Sequence, residues 1–375
     1  MSGRLLRLAC TAVCALSSLA FTVPPEPAAP ADGDDRTVIA LLTDLQRLYR
    51  EAEQASETYN ATEEQLKRQR AEVRRLDTEL ARARTSLHDS RAAAGRLARQ
   101  QYQSTSDLSP YLRLLLASDA RRALDQGHVI GQVARERAAT VDRLTGGERK
   151  AGSLAREARK ALDTQLALAR KQREQRDKVT GRLDEVERLL ASLTAEQLTE
   201  LSAREERETE KSQKTFMASG ALSSTAKNPT AQGERALRYA VEQLGKPYEW
   251  GAEGPDTYDC SGLTSQAWAD AGTPIPRTSQ EQWARLDHVP LDRLRPGDLV
   301  IYFPEATHVA LYLGNGKVIQ APRPDTKIKI SPIAANPILG AVRPDPGSTP
   351  MPTYTPLTLP ENAEQGSNEG FNGIF

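Results

Sequence analysis

Apolar side chains recur along this chain in two different rhythms. Val38, Leu41, Leu45, Leu48, Ala52, Ala55, Tyr59, Thr62, Leu66, Gln69, Val73, Leu76, Leu80, Ala83, Leu87, Ser90, Ala94 and Leu97 are spaced alternately by three and four. The positions between them are dense in Glu, Arg and Gln. A 3.5-residue repeat held over so many turns is the seam of a coiled coil. At 1.5 Å per residue, a helix from about 36 to about 103 would be roughly 100 Å long. A weaker, alanine-rich seam follows at Ile130, Ala134, Val141, Leu144, Ala151, Ala155, Ala158, Leu162 and Ala169. Val179, Leu183, Val186, Leu190, Leu193 and Leu201 continue it. Between the arms, "STSDLSPYLRLLLASDARRALDQGH" breaks the helix near 104–120, and Leu112, Leu114, Leu115 and Leu116 form a short apolar cap. Residues 31–210 therefore read as an all-α coiled coil of two long helices. An antiparallel hairpin is the expected arrangement, and a parallel dimer is the competing assembly.

The second rhythm begins near residue 232. "ERALRYAVEQLG" is a short amphipathic helix ended by Gly245, and "CSGLTSQAWADAG" restarts a helix at Cys260. "DLVIYF", "HVALYLG", "KVIQAP", "KIKISPI" and "ILGAVR" are short apolar runs of strand length. Residues 232–343 thus predict an α+β domain, helices first and then an antiparallel meander packed on them. Residues 211–231, rich in Ser, Thr, Gly and Ala, read as a linker. Residues 344–375, rich in Pro, Asn, Gly and Thr, read as a disordered tail.

Composition sharpens this division. From 31 to 228 there is one proline, Pro110, and no tryptophan, whereas Trp250, Trp268 and Trp283 all lie beyond. The 50 basic and 50 acidic residues cancel, which argues against a nucleic-acid binder driven by bulk charge. Residues 1–30 open with Arg4 and Arg7, continue through an uncharged run from Leu8 to Phe21, and end in a Pro/Ala-rich stretch. This is the pattern of a secretory signal, so the mature product is expected outside the cell, in the wall or the medium.

Export makes Cys260 conspicuous. The other cysteines, Cys10 and Cys14, lie in the signal, so the mature chain carries one thiol with nothing to pair it. Cys260 opens a helix, where unsatisfied N–H groups favour negative charge and lower a thiol pKa. A buried, inert cysteine is the bland alternative. The polar surroundings Asp-Cys-Ser-Gly and the oxidation hazard of a lone external thiol weigh against it. A thiol nucleophile wants an imidazole base. His288 sits in a charged connecting segment and reads as a solvated loop residue. His308 opens a strand whose Val309, Leu311 and Leu313 share one face, so alternation disfavours a core position for His308. A hairpin around Gly314-Asn315-Gly316 with a three-residue loop pairs Gln320 across from Ala310, on the face of His308. A two-residue loop turns Gln320 to the other face. Cys260 and His308 alone make no metal-ligand set, and neither metal nor cofactor is expected.

"GKPYEWGAEGPDTYDCSGL", "RPGDLVIY" and "HVALYLGNGKVIQAP" together resemble the signature segments of the NlpC/P60 family of cell-wall cysteine peptidases. The resemblance covers about 112 residues. It implies a papain-like α+β fold and hydrolysis of peptidoglycan stem peptides, typically at the γ-D-glutamyl–diamino acid bond. It places the nucleophile on Cys260, the base on His308 and the third, polar member on Gln320, where many members have histidine. It matches Tyr248 to an active-site tyrosine near the oxyanion, and Asp259 and Ser261 to positions that contact the stem peptide. Arg277, in "PRTSQEQW", also matches a family motif; a structural role is the equal alternative. The whole layout is similar to secreted actinobacterial wall hydrolases, in which the coiled coil restrains the enzyme or docks it to membrane division machinery. Self-association through the coiled coil is a further expectation. The competing reading is a coiled-coil scaffold or activator of other wall hydrolases, with a C-terminal domain that is weakly active or only binds wall peptides. Amidase or transferase chemistry on the same fold is a third.

Overall fold

The computed structural model of the chain describes residues 33–103, 120–225, 227–360 and 363. The expected signal at 1–30 and the Leu112–Leu116 cap lie outside the described residues. Helix α1 (Gly33–Gln103) and helix α2 (Ala120–Ala191) are the two long arms. They run antiparallel. Glu51 pairs with Arg182, Tyr59 with Gln172, Gln69 with the Ala161 carbonyl and Arg91 with Glu148, so one number falls as the other rises. The seam buries Leu76, Leu80, Ala83 and Leu87 against Ala151, Leu154, Ala158 and Ala161. Nearer the C-terminal domain, Leu42, Leu45, Leu48 and Tyr49 meet Val186, Leu190, Leu193, Leu198 and Leu201. These stretches of the seam are satisfied within the chain, whereas Val141 and Leu162 of the alanine-rich arm stay exposed. Among the described residues, no helix is long and apolar enough to cross a membrane.

Helix α3 (Ala195–Ala218) starts at Thr194 with a capping box: Thr194 accepts the Gln197 N–H, and the Gln197 side chain accepts the Thr194 N–H. The linker expected from 211 begins only after Ala218. The last turns of α3 find partners on the C-terminal domain and so stay helical. The Gln213 side chain donates to the Gly316 carbonyl and accepts from the Ala334 N–H, and Phe216 packs against the sheet.

The C-terminal domain is α+β. It comprises α4 (Ala231–Glu242), α5 (Cys260–Asp270) and α6 (Ser279–Arg285), then β1 (Asp287–Val289), β2 (Leu299–Tyr302), β3 (His308–Gly314), β4 (Lys317–Gln320), β5 (Lys329–Pro332) and β6 (Ile338–Arg343). Every neighbouring pair of strands is antiparallel, in the order β1-β6-β2-β3-β4-β5. The expected plain meander holds from β2 to β5. β6 then crosses back to pair with β2, and the short β1, read from sequence as a loop, adds outside it. His288, on β1, is exposed; its ring lies 3.8 Å from that of Trp283.

The sheet is covered on both faces. Leu299, Ile301, Val309, Leu311 and Ile319 pack with Leu237, Leu263 and Trp268 of the helices. Val300, Tyr302, Ala310, Tyr312 and Val318 pack with Phe216 and Leu222. The second layer comes from α3 and the segment after it, which strand alternation alone does not reveal. The stretch after 343 is also ordered where described, contrary to the disordered tail expected there. Asp345 is buried and accepts from Arg295 and Thr230, the Met351 N–H reaches the Pro229 carbonyl, and Leu357 and Leu359 pack on the core.

Candidate active site

Cys260 is the first residue of α5, and Asp259 caps that helix by accepting the Gly262 N–H at 2.6 Å. Only glycine fits at 262, since a Cβ there would stand 2.2 Å from the Ala252 carbonyl oxygen. The Cys260 sulfur is buried, and the Val309 backbone N–H, one residue from His308, acts to lower its pKa. His308 Nε2 lies 2.7 Å from Gln320 Oε1. That oxygen can only accept, so Nε2 carries the proton and Nδ1 is left as the bare acceptor.

Gln320 reaches His308 by a route between the two loops expected from sequence. Gly314 pairs with Lys317, so the loop is the two residues Asn315 and Gly316, both at positive φ, 51° and 70°. This is the backbone of a hairpin turn of mirror-image type. A bulge between Tyr312 and Gly314 then restores the register, pairing Leu311 with Ile319. Gln320 thereby falls opposite Ala310.

Asp259, Ser261 and Arg277 form one buried cluster. Arg277 donates to both Asp259 oxygens, at 3.0 and 2.7 Å, and to Ser261 Oγ at 2.8 Å. It also lies 3.2 Å from Glu253. Asp259 Oδ2 accepts the Gly251 N–H as well. Arg277 thus fixes the helix cap that presents the thiol. Tyr248 is buried beside Cys260; burial and the neighbouring thiol and carboxylates push its hydroxyl pKa up. Its backbone N–H is held by the Thr326 carbonyl.

This constellation lies within a segment that known proteins share. Residues 245–340 match the model of the NlpC/P60 family. The C-terminal domain is an NlpC/P60 domain. Over 111 residues the chain is 42% identical to a protein of Corynebacterium glutamicum named a probable endopeptidase, covering 30% of this chain and 53% of that one. Over 133 residues it is 35% identical to the peptidoglycan endopeptidase RipB of Mycobacterium tuberculosis, covering 31% and 55%. Among solved structures, RipD of M. tuberculosis is 30% identical, with 30% of this chain and 96% of that one covered and a TM-score of 0.28. RipD is described as a non-catalytic NlpC/p60 domain adapted to peptidoglycan binding. The chain spans about half the length of the curated relatives it matches.

The NlpC/P60 domain does not present its thiol to solvent, because α1 lies across it. Four residues on one face of α1 descend the groove in order. Tyr49 lies under the Arg323 guanidinium, 4.8 Å away. Glu53 Oε1 stands 3.7 Å from His308 Nδ1. Glu57 accepts from Ser261 Oγ at 2.7 Å and from the Ser279 N–H at 2.8 Å, and the Cys260 thiol points at it from 3.9 Å. Asn60 donates to Asp259 at 3.0 Å. Further on, Tyr59 packs edge-on to Trp250, and Lys67 pairs with Glu253. His308 is completely buried as a result, although its strand pattern disfavoured a core position. The covering layer comes from a helix some 250 residues earlier in the chain.

Burial inverts the expected electrostatics. Desolvation, then Glu57, Asp259 and Glu53, push the Cys260 thiol well above its ordinary pKa, against the pull of the Val309 N–H. The lowered thiol pKa expected at a helix N-terminus is thus not a property of this closed state. Desolvation lowers His308 to about 4, with the Gln320 hydrogen bond and Asp259 opposing. Glu53 is raised to about 8 by burial and Glu57, while Arg323 and Arg50 pull it down. Glu57 is raised to about 7 by burial and Asp259, against Arg277, Ser261 and Ser279. At neutral pH both the Cys260 thiol and the His308 imidazole of the covered site are therefore uncharged. Glu53, Glu57, Ser279 and Arg323 belong to this assembly and were not singled out from sequence. The two glutamates form a polar i, i+4 pair off the heptad seam, like many exposed pairs on the same helix, and so carried no distinguishing signal.

Proposed function

We propose that the chain is a secreted cysteine endopeptidase of peptidoglycan stem peptides, cutting the γ-D-glutamyl–diamino acid bond, and that its helical hairpin keeps the enzyme closed until it is displaced. The observation that carries this reading is the His308–Gln320 hydrogen bond. It holds the proton on Nε2 and leaves Nδ1 to act as base, as an amide does in Cys-His-Asn sites. With α1 lifted, water returns, Glu53 and Glu57 leave, and the helix N-terminus and the Val309 N–H are left to favour the thiolate. Cys260 then attacks the peptide carbonyl while His308 takes the thiol proton. The Cys260 N–H and Tyr248 receive the developing oxyanion. His308 returns the proton to the leaving amine, and water, activated by the same imidazole, hydrolyses the thioester.

The relatives named as endopeptidases support the class of reaction. The Glu53–Glu57 contacts support the closed resting state. The test uses the full mature chain. Wild type, Glu57→Lys and Glu57→Lys with Cys260→Ala are incubated with purified peptidoglycan fragments, and the products are weighed. The reading expects fast cutting by Glu57→Lys, slow cutting by wild type and none without the thiol. Inertness of the reduced Glu57→Lys chain would turn the assignment to a wall-binding scaffold.

A further inference from the structure

The covering helix also measures the groove. Along α1 the sequence of partners is Arg323 at Tyr49, His308 at Glu53, Cys260 and Ser261 at Glu57, and Asp259 at Asn60. Tyr49, Glu53 and Glu57 are each one turn apart, about 6 Å of rise. Arg323 therefore lies about one turn beyond His308, on the side away from the sulfur and from Asp259. If the site works as proposed above, His308 protonates the leaving amine, so the leaving half of the substrate extends past the imidazole. Arg323 is the cation that half would meet.

In the closed chain that cation already holds a carboxylate. Glu205 of α3 accepts from both Arg323 terminal nitrogens, at 2.6 and 2.9 Å, the two-pronged geometry by which guanidinium recognises a carboxylate. The loop that carries Arg323 is pinned to the wall of the site. The Arg323 N–H bonds Thr326 Oγ1, the Thr326 carbonyl takes the Tyr248 N–H, and the Ile328 N–H bonds the Lys246 carbonyl. The guanidinium is thus placed on a preorganised arm at a fixed distance from the base.

We propose that Arg323 is a specificity residue: with the hairpin displaced, it takes a free carboxylate borne by the diamino acid that supplies the leaving amine. Glu205 is the stand-in for that carboxylate in the closed chain. This inference rests on the endopeptidase reading for its direction along the groove, and its test separates the two. Two stem peptides are made that differ in one group, the second carboxylate of the diamino acid, free in one and amidated in the other. They are offered to the full chain carrying Glu57→Lys and Glu205→Gln, which lifts the helix and releases the guanidinium.

A charged, two-pronged hydrogen bond gives a preference for the free carboxylate of roughly ten- to a hundredfold in kcat/KM. Arg323→Gln brings the ratio close to one, and Arg323→Lys retains part of it. A residue that only fastened the hairpin would change both peptides alike. Equal kcat/KM for the two peptides with Arg323 intact, or a ratio unmoved by Arg323→Gln, overturns the proposal. Binding of both peptides to the same chain with Cys260→Ala is measured in parallel. A binding preference without any cutting supports Arg323 and sinks the peptidase reading alone. Equal affinities, or no binding of either peptide, sink Arg323.

Discussion

Two stretches of α1 are buried to a similar degree and by opposite chemistry. From Leu66 to Leu87 the buried side chains are leucine and alanine, and Leu76, Leu80, Ala83 and Leu87 pack on the alanines and leucine of α2. From Glu53 to Asn60 they are Glu53, Ser56, Glu57 and Asn60, on the helix face laid on the NlpC/P60 domain. The first stretch gains from excluding water. The second strips water from polar atoms, and Glu53 Oε2, Ser56 Oγ, Asn60 Oδ1, Ser279 Oγ and His308 Nδ1 have no hydrogen-bond partner among the described residues. Each such atom costs about 1–3 kcal/mol. The hairpin is therefore held together by its seam, while its grip on the site lies well below what complementary packing would reach. That balance is what the proposed displacement of the hairpin requires.

The largest expected effect breaks the polar stretch. Glu57→Lys removes the acceptor of the Ser261 and Ser279 donors and sets a second cation beside Arg277. Charged hydrogen bonds of this kind are worth about 1.5–3 kcal/mol each. The closed–open equilibrium should move by well over tenfold, read as the rate of stem-peptide cleavage. The matching change in the seam, Leu66→Ala at a fully buried position, should cost about 2–5 kcal/mol of hairpin stability. It is read by thermal unfolding of the helical signal. If Leu66→Ala speeds cleavage as much as Glu57→Lys does, the two stretches are not separate in function.

A middle-sized effect concerns the base rather than its cover. In the opened Glu57→Lys chain, Gln320→Ala removes the 2.7 Å partner of His308 Nε2. The imidazole then loses its fixed tautomer, and cleavage should fall roughly five- to tenfold. A rate unchanged by Gln320→Ala would mean that the ring is oriented by burial against Tyr302, whose ring lies 5.6 Å away.

The parts that were legible in the sequence are those written in local patterns. The heptads foretold two antiparallel arms, five apolar runs became five of the six strands, and the hairpin placed Gln320 near His308. What was hidden depends on contacts between distant segments. Glu53 and Glu57 lie between the seam positions of a coiled coil, and polar residues there read as a solvated face until their partner is known. The burial of His308 needs the hairpin to be in place, and so does the raised thiol pKa of Cys260. The ordered stretch after 343 carries too few apolar residues to announce a core contact, yet Asp345 is locked by Arg295. Arg323 carried no local motif at all, and its partner Glu205 is 118 residues away.

The smallest effect, and the sharpest test of the polar stretch, is its pH dependence. In the closed chain Glu57 titrates at about 7 and Glu53 at about 8. Released into water, both return to the ordinary range near 4.3. Between those limits the closed state holds protons that the open state gives up. Their contribution to closure is complete below about pH 4.3 and fades as pH rises through 7 and 8. His308 works in the opposite sense. It is lowered to about 4 when covered, so protonation of the freed ring, near 6.5 in water, favours opening as pH falls toward 4. Two carboxylates against one imidazole leave the same direction with a shallower slope below about pH 6.5. Above it, the carboxylates and the raised Cys260 thiol act together. The other charges facing this pair are those of Asp259, Arg277, Arg323 and Arg50. Opening should therefore rise from pH 6.5 to 8.5 in a Cys260→Ala chain, followed by the fluorescence of Trp250 as Tyr59 leaves its edge. Glu53→Gln with Glu57→Gln imitates the neutral acids and should flatten that rise. If the doubly amidated chain opens with the same slope, the buried carboxylates are not what makes this contact reversible, and the unpartnered hydroxyl and amide atoms of Ser56, Asn60 and Ser279 carry it instead.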